Sequence, residues 1–275
     1  MNFIRFEHTL FALPFAVIGA ILGCHGLPSV HAITWIFVCM VTARSAAMAY
    51  NRIVDRDIDA LNPRTSSREL PSGAIGVPFA VGFTVVMSIG FILASSQLNQ
   101  LALFLSPVAL LIAFGYSHAK RFTAFSHAWL GVALAIAPVG AWIAVTGSLA
   151  LTPCVIGASV VCWLIGFDTL YALQDMEFDK KTQLHSIPSR FGLQGSLRIA
   201  RISHAVMVLF LGLLPLIYPL GWPYALSVGA VASILAYEHY VMNPSDMKKV
   251  NTAFFKCNIA ISLILMTGIL VNLYV

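Results

Sequence analysis

The sequence predicts an all-α integral membrane protein, and three observations lead to this fold class. Of its 275 residues, 59% are hydrophobic and only 10% are charged, whereas a water-soluble domain carries roughly 25% charged residues. Long apolar runs follow one another with short gaps, and the basic residues collect in alternate gaps. We therefore expect residues 1–275 to form one helical bundle in a membrane, because helices satisfy their own backbone hydrogen bonds there.

Nine apolar runs are long enough for a helix to cross the hydrocarbon core, which takes roughly 20 residues. The first run could be taken for a signal peptide, but it is long and no small-residue cleavage site follows it, so we expect a retained helix. In chain order, the predicted transmembrane helices are 9–27, 31–50, 76–96, 100–117, 127–147, 151–173, 203–220, 222–242 and 254–274.

The basic residues predict the orientation of the bundle. All 16 Lys and Arg residues except Arg44 lie at the N-terminus, in alternate gaps or, for Lys256, at the edge of such a gap, and an excess of Lys and Arg is typical of cytoplasmic loops. We expect the N-terminus in the cytoplasm, the C-terminus outside after an odd number of crossings, and a location in the cell inner membrane. The net charge of +5 then reflects topology, not a nucleic-acid partner. The residues concerned are Arg5, Arg52, Arg56, Arg64, Arg68, Lys120, Arg121, Lys180, Lys181, Arg190, Arg198, Arg201, Lys248, Lys249 and Lys256.

Most of the acidic residues lie in two short segments, 55–69 and 168–179, both on the predicted cytoplasmic side. A spacing of four residues places side chains on one face of an α-helix. The first segment therefore forms a stripe, with Asp57 pointing away, and the second forms another if its helix continues. The stripes are Asn51, Asp55 and Asp59 in the first segment, and Asp168, Tyr171, Asp175 and Asp179 in the second.

Carboxylates crowded in this way repel one another and raise one another's pKa, so a cation is expected to share the site. Mg²⁺ is suitable, because it takes one or two carboxylates and completes its shell with water and substrate phosphate oxygens. Acids at a helix end are more often simply solvated, but two matched stripes make that explanation weaker. The spacing also suggests duplicated halves, about 1–126 and 127–242, followed by a final helix.

Apart from Lys256, at the very start of the last predicted transmembrane helix, Arg44 is the only Lys or Arg residue inside such a helix. It precedes Asn51 by seven residues, which places it on the same face and roughly 10 Å deeper. A charge at that depth is costly and usually functional. It either pairs with a carboxylate of the bundle or binds an anionic substrate group, such as the carboxylate of an aromatic acid, through a bidentate fork.

These residues resemble the UbiA superfamily of intramembrane prenyltransferases. The first stripe continues into RTSSRELPSG (64–73), and the second segment reads DTLYALQDMEFDKK (168–181), followed by SIPSRFG (186–192). YSHAKRFT (116–123) and the N-terminal RFEHTLFALPFA are similar to the quinone-pathway branch. The resemblance covers nearly the whole chain. It implies nine helices around a central cavity, a polyprenyl diphosphate donor, Mg²⁺ and an aromatic acid acceptor.

The resemblance also implies roles for individual residues. The expected metal ligands are Asp55, Asp59, Asp175 and Asp179. The expected diphosphate-binding residues are Asn51, Lys120, Arg121, Arg64 and Arg68. For the four basic side chains, topology and contact with lipid headgroups is an equally good explanation. The expected catalytic residues are Asp168, which orients the acceptor hydroxyl or takes a proton, Tyr171 beside it, and Arg44. Gln174 departs from the family pattern and receives no role.

Alternatives remain for the acceptor and for the class of protein. We expect 4-hydroxybenzoate narrowly ahead of a dihydroxynaphthoate for menaquinone, since both carry a carboxylate for Arg44. A secondary transporter also carries intramembrane acids, but near the midplane, whereas these gather at one surface. The five cysteines occur singly in apolar stretches, so we expect them to be small buried hydrophobic residues. The histidines near helix ends, including His118, His127 and His204, are expected to be uninformative.

Overall fold

The computed structural model describes residues 9–242 and 247–275, with side chains placed for 12–242 and 256–275. Arg5 and the start of the N-terminal motif, as well as the side chains of Lys248 and Lys249, lie outside these residues. The described chain is helical, and no strand occurs in it. Its helices are α1 (Thr9–Cys24), α2 (Val30–Leu61), α3 (Val77–Ser96), α4 (Gln100–Ala119), α5 (Ser126–Thr146), α6 (Leu151–Ala172), α7 (Met176–Lys181), α8 (Ile187–Leu213), α9 (Trp222–Val241) and α10 (Met247–Asn272).

The predicted all-α membrane class is confirmed. Every helix in the described ranges except α7 has 16 residues or more, and each of these nine corresponds to one predicted run. Among the residues described, six helical stretches are long and apolar enough to cross a membrane, and Ala12–Cys24 and Lys256–Asn272 are shorter apolar helices. The number of nine crossings and the orientation of the termini remain predictions.

Local sequence signals explain where several helices begin. Ser29 caps α2, because its hydroxyl accepts a hydrogen bond from the backbone N–H of Ala32 at 3.2 Å. Asn99 caps α4 in the same way, accepting from Ala102 N–H at 2.9 Å. At α8, Ser186 accepts from the N–H of Ser189, whose hydroxyl accepts in turn from the N–H of Ser186.

The hydrophobic core lies mainly between α1, α5, α6, α8, α9 and α10. Trp163, Tyr224 and Phe15 are the largest side chains fully buried there. Burial of such aromatic surfaces is worth several kcal/mol by area in water, but lipid is itself apolar, so close packing takes over as the stabilising term. A smaller cluster between α2, α3 and α4 centres on Ala46, Phe91 and Leu110.

The structure differs from the sequence expectation where helices carry charge. α2 continues to Leu61, beyond the apolar run that ends near residue 50 and as the first stripe requires, whereas α8 begins at Ile187 although its apolar run starts at 203. Both extensions are helical but polar, so hydropathy alone does not detect them. After α6, the helix tightens into a 3₁₀ turn, Leu173–Asp175, before α7. The second stripe is therefore not one straight helical face.

Candidate active site

The first stripe lies along the last turns of α2. The side-chain amide of Asn51 donates a hydrogen bond to Asp55 Oδ2 at 3.1 Å. Asp55 and Asp59 are buried, at 3% and 5% exposure, whereas the side chain of Asp57 is 88% exposed and, among the described residues, pairs only with its neighbour Arg56. This alternation follows from the helical period, since residues four apart share a face and residues two apart do not.

Each buried carboxylate of this stripe has a basic partner. Lys120, just after α4, lies 2.6 Å from Asp55 Oδ2, and Arg121 Nη2 lies 3.5 Å from Asp55 Oδ1. Arg68, in the loop after α2, lies 2.7 Å from Asp59 Oδ2. The stripe therefore meets side chains from two connecting segments at one end of the bundle.

Arg64 joins the loop after α2 to the second acidic segment. Its Nε and Nη2 atoms donate to the two oxygens of Asp175, at 2.9 and 2.5 Å, in a bidentate fork. The amide of Asn62 also donates to Asp175 Oδ1, at 3.3 Å. The guanidinium stands over the Tyr171 ring, 5.9 Å from its centroid. Burial lowers the pKa of Arg64, but hydrogen bonding to Asp175 and its charge outweigh burial, so the net shift is upward.

Asp179 extends the same group of side chains on α7. The hydroxyl of Ser186 lies near it, and Asp175, Lys120 and His127 are its electrostatic neighbours. Lys120 therefore stands between Asp55 of the first segment and Asp179 of the second. Although the 3₁₀ turn bends the second stripe, both of its later carboxylates still face the first segment.

Asp168, near the end of α6, pairs with a residue that the sequence did not single out. His127 Nδ1 lies 2.7 Å from Asp168 Oδ2. The ring is 4% exposed, and its Nε2 receives the backbone N–H of Ile187 at 3.3 Å. The histidines were expected to be uninformative, and for His127 this expectation is wrong. No local pattern predicts the pair, because 41 residues separate its members.

Tyr116 is a second residue that the expected roles omitted. It lies on α4, and Asp168, Asp55, Arg68 and Arg52 are all within electrostatic range of its hydroxyl. Asp168 and Asp55 belong to different acidic segments, and both are near this one phenol. The two acidic segments therefore face one another. The sequence signal for Tyr116 was its position in the YSHAKRFT segment (116–123), which resembles the quinone-pathway branch.

Arg44 lies apart from these ion pairs. It is half-buried on α2, two turns before Asn51 and therefore roughly 10 Å away along the helix axis. The other expected site residues come together at one end of the bundle.

In the structure, Lys and Arg side chains supply positive charge beside the carboxylates, where the sequence predicts Mg²⁺. Among the described residues, no group of three or more His, Cys, Asp or Glu side chains lies close enough to hold a metal alone. The donor set nevertheless fits Mg²⁺, which needs only one or two carboxylates when phosphate oxygens share its shell. Asp55 Oδ1 is buried and, although Arg121 Nη2 lies 3.5 Å away, it accepts no hydrogen bond from the described residues, so this oxygen can still bind a cation.

An all-helical bundle with membrane-length apolar helices and interleaved acidic and basic side chains at one end is the arrangement expected of a membrane protein that binds a charged ligand. The model of the UbiA prenyltransferase family matches residues 12–260. The chain belongs to this family, as the sequence resemblance predicted.

Curated relatives match most of the chain. The 4-hydroxybenzoate octaprenyltransferase of Vibrio parahaemolyticus is 29% identical over 251 residues, which covers 91% of this chain and 88% of the relative. The 4-hydroxybenzoate octaprenyltransferase of Tolumonas auensis is 34% identical over 215 residues, covering 78% and 72%.

Solved structures share the fold. The apo structure of a UbiA homologue from Aeropyrum pernix K1 has a TM-score of 0.88 and 34% identity, and the match covers 98% of each chain. A UbiA homologue from Archaeoglobus fulgidus bound to DMAPP and Mg²⁺ has a TM-score of 0.71 at 17% identity, covering 96% of this chain and 99% of the other. This second likeness supports the fold alone.

Proposed function

We propose that this chain transfers a polyprenyl group from a polyprenyl diphosphate to the ring of 4-hydroxybenzoate, a step of ubiquinone biosynthesis. Family membership supports prenyl transfer, and the names of the relatives favour this acceptor over a dihydroxynaphthoate. The observation that carries the proposal is the bidentate pair between Arg64 and Asp175. It links the loop of the first acidic segment to the second, so that acids and bases suited to a metal diphosphate share one site.

On the donor side, acidic and basic residues have complementary tasks. Mg²⁺, when bound, would supply Lewis-acid neutralisation of the negative charge on the departing diphosphate, and the carboxylate donors present suit this ion. The carboxylates that would hold it are Asp55, Asp59, Asp175 and Asp179. The side chains that would bind diphosphate oxygens are Asn51, Lys120, Arg121, Arg64 and Arg68.

The ion pairs keep these basic groups in place for the donor. Lys120 and Arg64 already make short charge-assisted hydrogen bonds to carboxylate oxygens. Diphosphate oxygens accept the same kind of hydrogen bond, and Arg forms bidentate pairs with phosphate as well as with carboxylate. Side chains held near their final positions lose little further conformational freedom when the diphosphate takes over as acceptor.

On the acceptor side, the bond between C1 of the donor and the diphosphate oxygen breaks, and a bond from C1 to the ring carbon ortho to the hydroxyl forms. The ring then loses a proton. Asp168 orients the acceptor hydroxyl by accepting its hydrogen bond or takes the proton that the ring carbon loses, with Tyr171 beside it, and Arg44 binds the acceptor carboxylate. Apolar surroundings exclude water, which would otherwise capture the allylic carbon.

The membrane is part of the reaction environment. An apolar isoprenoid tail dissolves in lipid and enters the bundle sideways, while the charged head reaches the polar end of the helices. The positive-inside pattern indicates that this end faces the cytoplasm, at the inner leaflet. Transport is less well supported, because the ion pairs gather at one end of the bundle and not near its midplane.

The test is prenyl transfer in membranes that contain the chain, with Mg²⁺, a radiolabelled prenyl diphosphate and either 4-hydroxybenzoate or a dihydroxynaphthoate. We expect product from 4-hydroxybenzoate. Asp55→Ala and Asp175→Ala should each lower kcat/KM by about 100-fold or more, since several kcal/mol of charge stabilisation are lost. Asp57→Ala is the matched control and should retain full activity. Full activity in both test variants would end the magnesium–diphosphate assignment.

A further inference from the structure

His127 stands where three helices meet near Asp168. It is the second residue of α5, its Nδ1 contacts Asp168 on α6, and its Nε2 contacts Ile187 at the start of α8. The two ring nitrogens therefore have different partners on two different helices. Because the ring is buried, water does not replace either contact.

These contacts determine which nitrogen carries the proton of a neutral ring. The backbone N–H of Ile187 can only donate, so Nε2 accepts and has no proton. The proton is then on Nδ1, which donates to Asp168 Oδ2 at 2.7 Å, a distance typical of a charge-assisted hydrogen bond. One nitrogen thus fixes the tautomer, and the other presents a donor to the carboxylate.

The ring is also held in orientation. Ile187 opens α8 directly after the reciprocal cap between Ser186 and Ser189, which fixes the direction of its N–H. A flip of the imidazole would exchange nitrogens for carbons and lose both hydrogen bonds. Asp168 Oδ2 is consequently engaged from one side, while the side chain remains 24% exposed and able to meet a ligand.

We propose that His127 is a positioning residue for prenyl transfer: through Nδ1–H, it aims Asp168 at the acceptor hydroxyl. This inference rests on the proposed function of Asp168. His127 acts through Asp168 and does not itself touch the substrate. Removal of comparable supporting hydrogen bonds in other sites, such as those behind metal-binding histidines, lowers affinity or activity by about 10–100-fold.

Two variants separate the two ring contacts. In His127→Asn, the side-chain amide stands near the place of Nδ1 and can still donate to Asp168. In His127→Gln, the amide stands near the place of Nε2 and can still accept from Ile187. We expect His127→Asn to keep kcat within a few-fold, and His127→Gln to lower kcat by about 10–100-fold with the KM for the prenyl diphosphate unchanged.

Asp168→Asn provides the second arm of this test. If His127 acts through Asp168, His127→Gln should have little further effect on kcat in the Asp168→Asn background, as expected for coupled residues. All variants are compared at equal amounts of protein that elutes as a single species in detergent. Equal loss of kcat in the Asn and Gln variants, or full additivity with Asp168→Asn, would overturn the positioning role.

A spectroscopic measurement separates this inference from the proposed function. In ¹⁵N-histidine-labelled protein, the signal that disappears in His127→Asn should report a neutral ring protonated at Nδ1. A ring protonated at Nε2 contradicts the inference even if the enzyme prenylates 4-hydroxybenzoate. An Nδ1–H ring in a protein that prenylates no aromatic acid would leave the geometry intact and refute the function on which the positioning role depends.

Discussion

Individual side chains at the site carry charges that are only partly removed from water. The Asp55 side chain is 4% exposed, but its partner Lys120 remains 31% exposed. Removal of one member of a fully buried ion pair is strongly destabilising, because the other charge is stranded. Here Lys120 can turn to water when Asp55 is lost. Loss of Asp55 should therefore affect catalysis more than folding.

Arg44 and Arg64 are expected to bind different substrates, the aromatic acceptor and the prenyl diphosphate donor respectively. Arg44→Ala should raise the KM for 4-hydroxybenzoate by about 10-fold or more and change the donor KM little, because a bidentate pair with a carboxylate is worth about 1.5–3 kcal/mol. Arg64→Ala should raise the donor KM by a similar factor and leave the acceptor KM nearly unchanged. Steady-state kinetics with each substrate varied in turn measures both ratios.

Arg56→Ala is the control for this pair of variants. Arg56 lies on α2 between Arg44 and Arg64 in sequence, but its side chain is 48% exposed and, within the described part of the chain, forms an ion pair only with Asp57. Its loss should change neither KM. If Arg44→Ala raised the donor KM more than the acceptor KM, Arg44 would not be the carboxylate clamp.

At the level of helices, a single glycine allows α8 to begin beside the site. Gly192 has φ 64° and ψ −174°, a backbone conformation that interrupts the helix between its first turn and its long apolar part. This region of φ/ψ space is essentially restricted to glycine. The break lets Ile187 face His127 while the rest of α8 packs on α6.

Gly192→Ala should lower stability by roughly 1–3 kcal/mol, the usual strain of this backbone region. Gly212→Ala is a closely matched control, because it lies in the regular part of α8 and an added Cβ meets nothing within 4 Å at either position. We expect Gly212→Ala to be neutral or slightly stabilising. Thermal unfolding in detergent compares the two. Equal midpoints would show that the kink carries no strain.

The sequence predicted helices best where hydropathy alone determines them. The expected ranges 76–96 and 100–117 agree closely with Val77–Ser96 and Gln100–Ala119. Hydropathy did not detect the polar extensions of α2 and α8, although the stripe spacing indicated the first of them, and the 3₁₀ turn after α6 was not predicted. The helical period correctly separated Asp55 and Asp59 from Asp57. The contact between His127 and Asp168 was beyond prediction, because only the packing of α5, α6 and α8 creates it.

For the whole molecule, the distribution of charge relates the site to the membrane. The ion pairs of Asp55, Asp59 and Asp175 all belong to segments that carry an excess of Lys and Arg, and the alternate connections lack these residues. Such asymmetry predicts that the site faces the cytoplasm.

Labelling of single cysteines can test this orientation. In a chain whose five free cysteines are replaced by Ala, Leu149→Cys lies between α5 and α6, and Phe122→Cys lies between α4 and α5. The two positions are equally exposed, at 60% and 61%, so accessibility within the protein does not distinguish them. Any outer membrane is first permeabilised. A membrane-impermeant maleimide should then label position 149 in intact cells. It should label position 122 only after the inner membrane is opened. The reverse pattern would place the charged site on the outer face, where the predicted topology does not allow it.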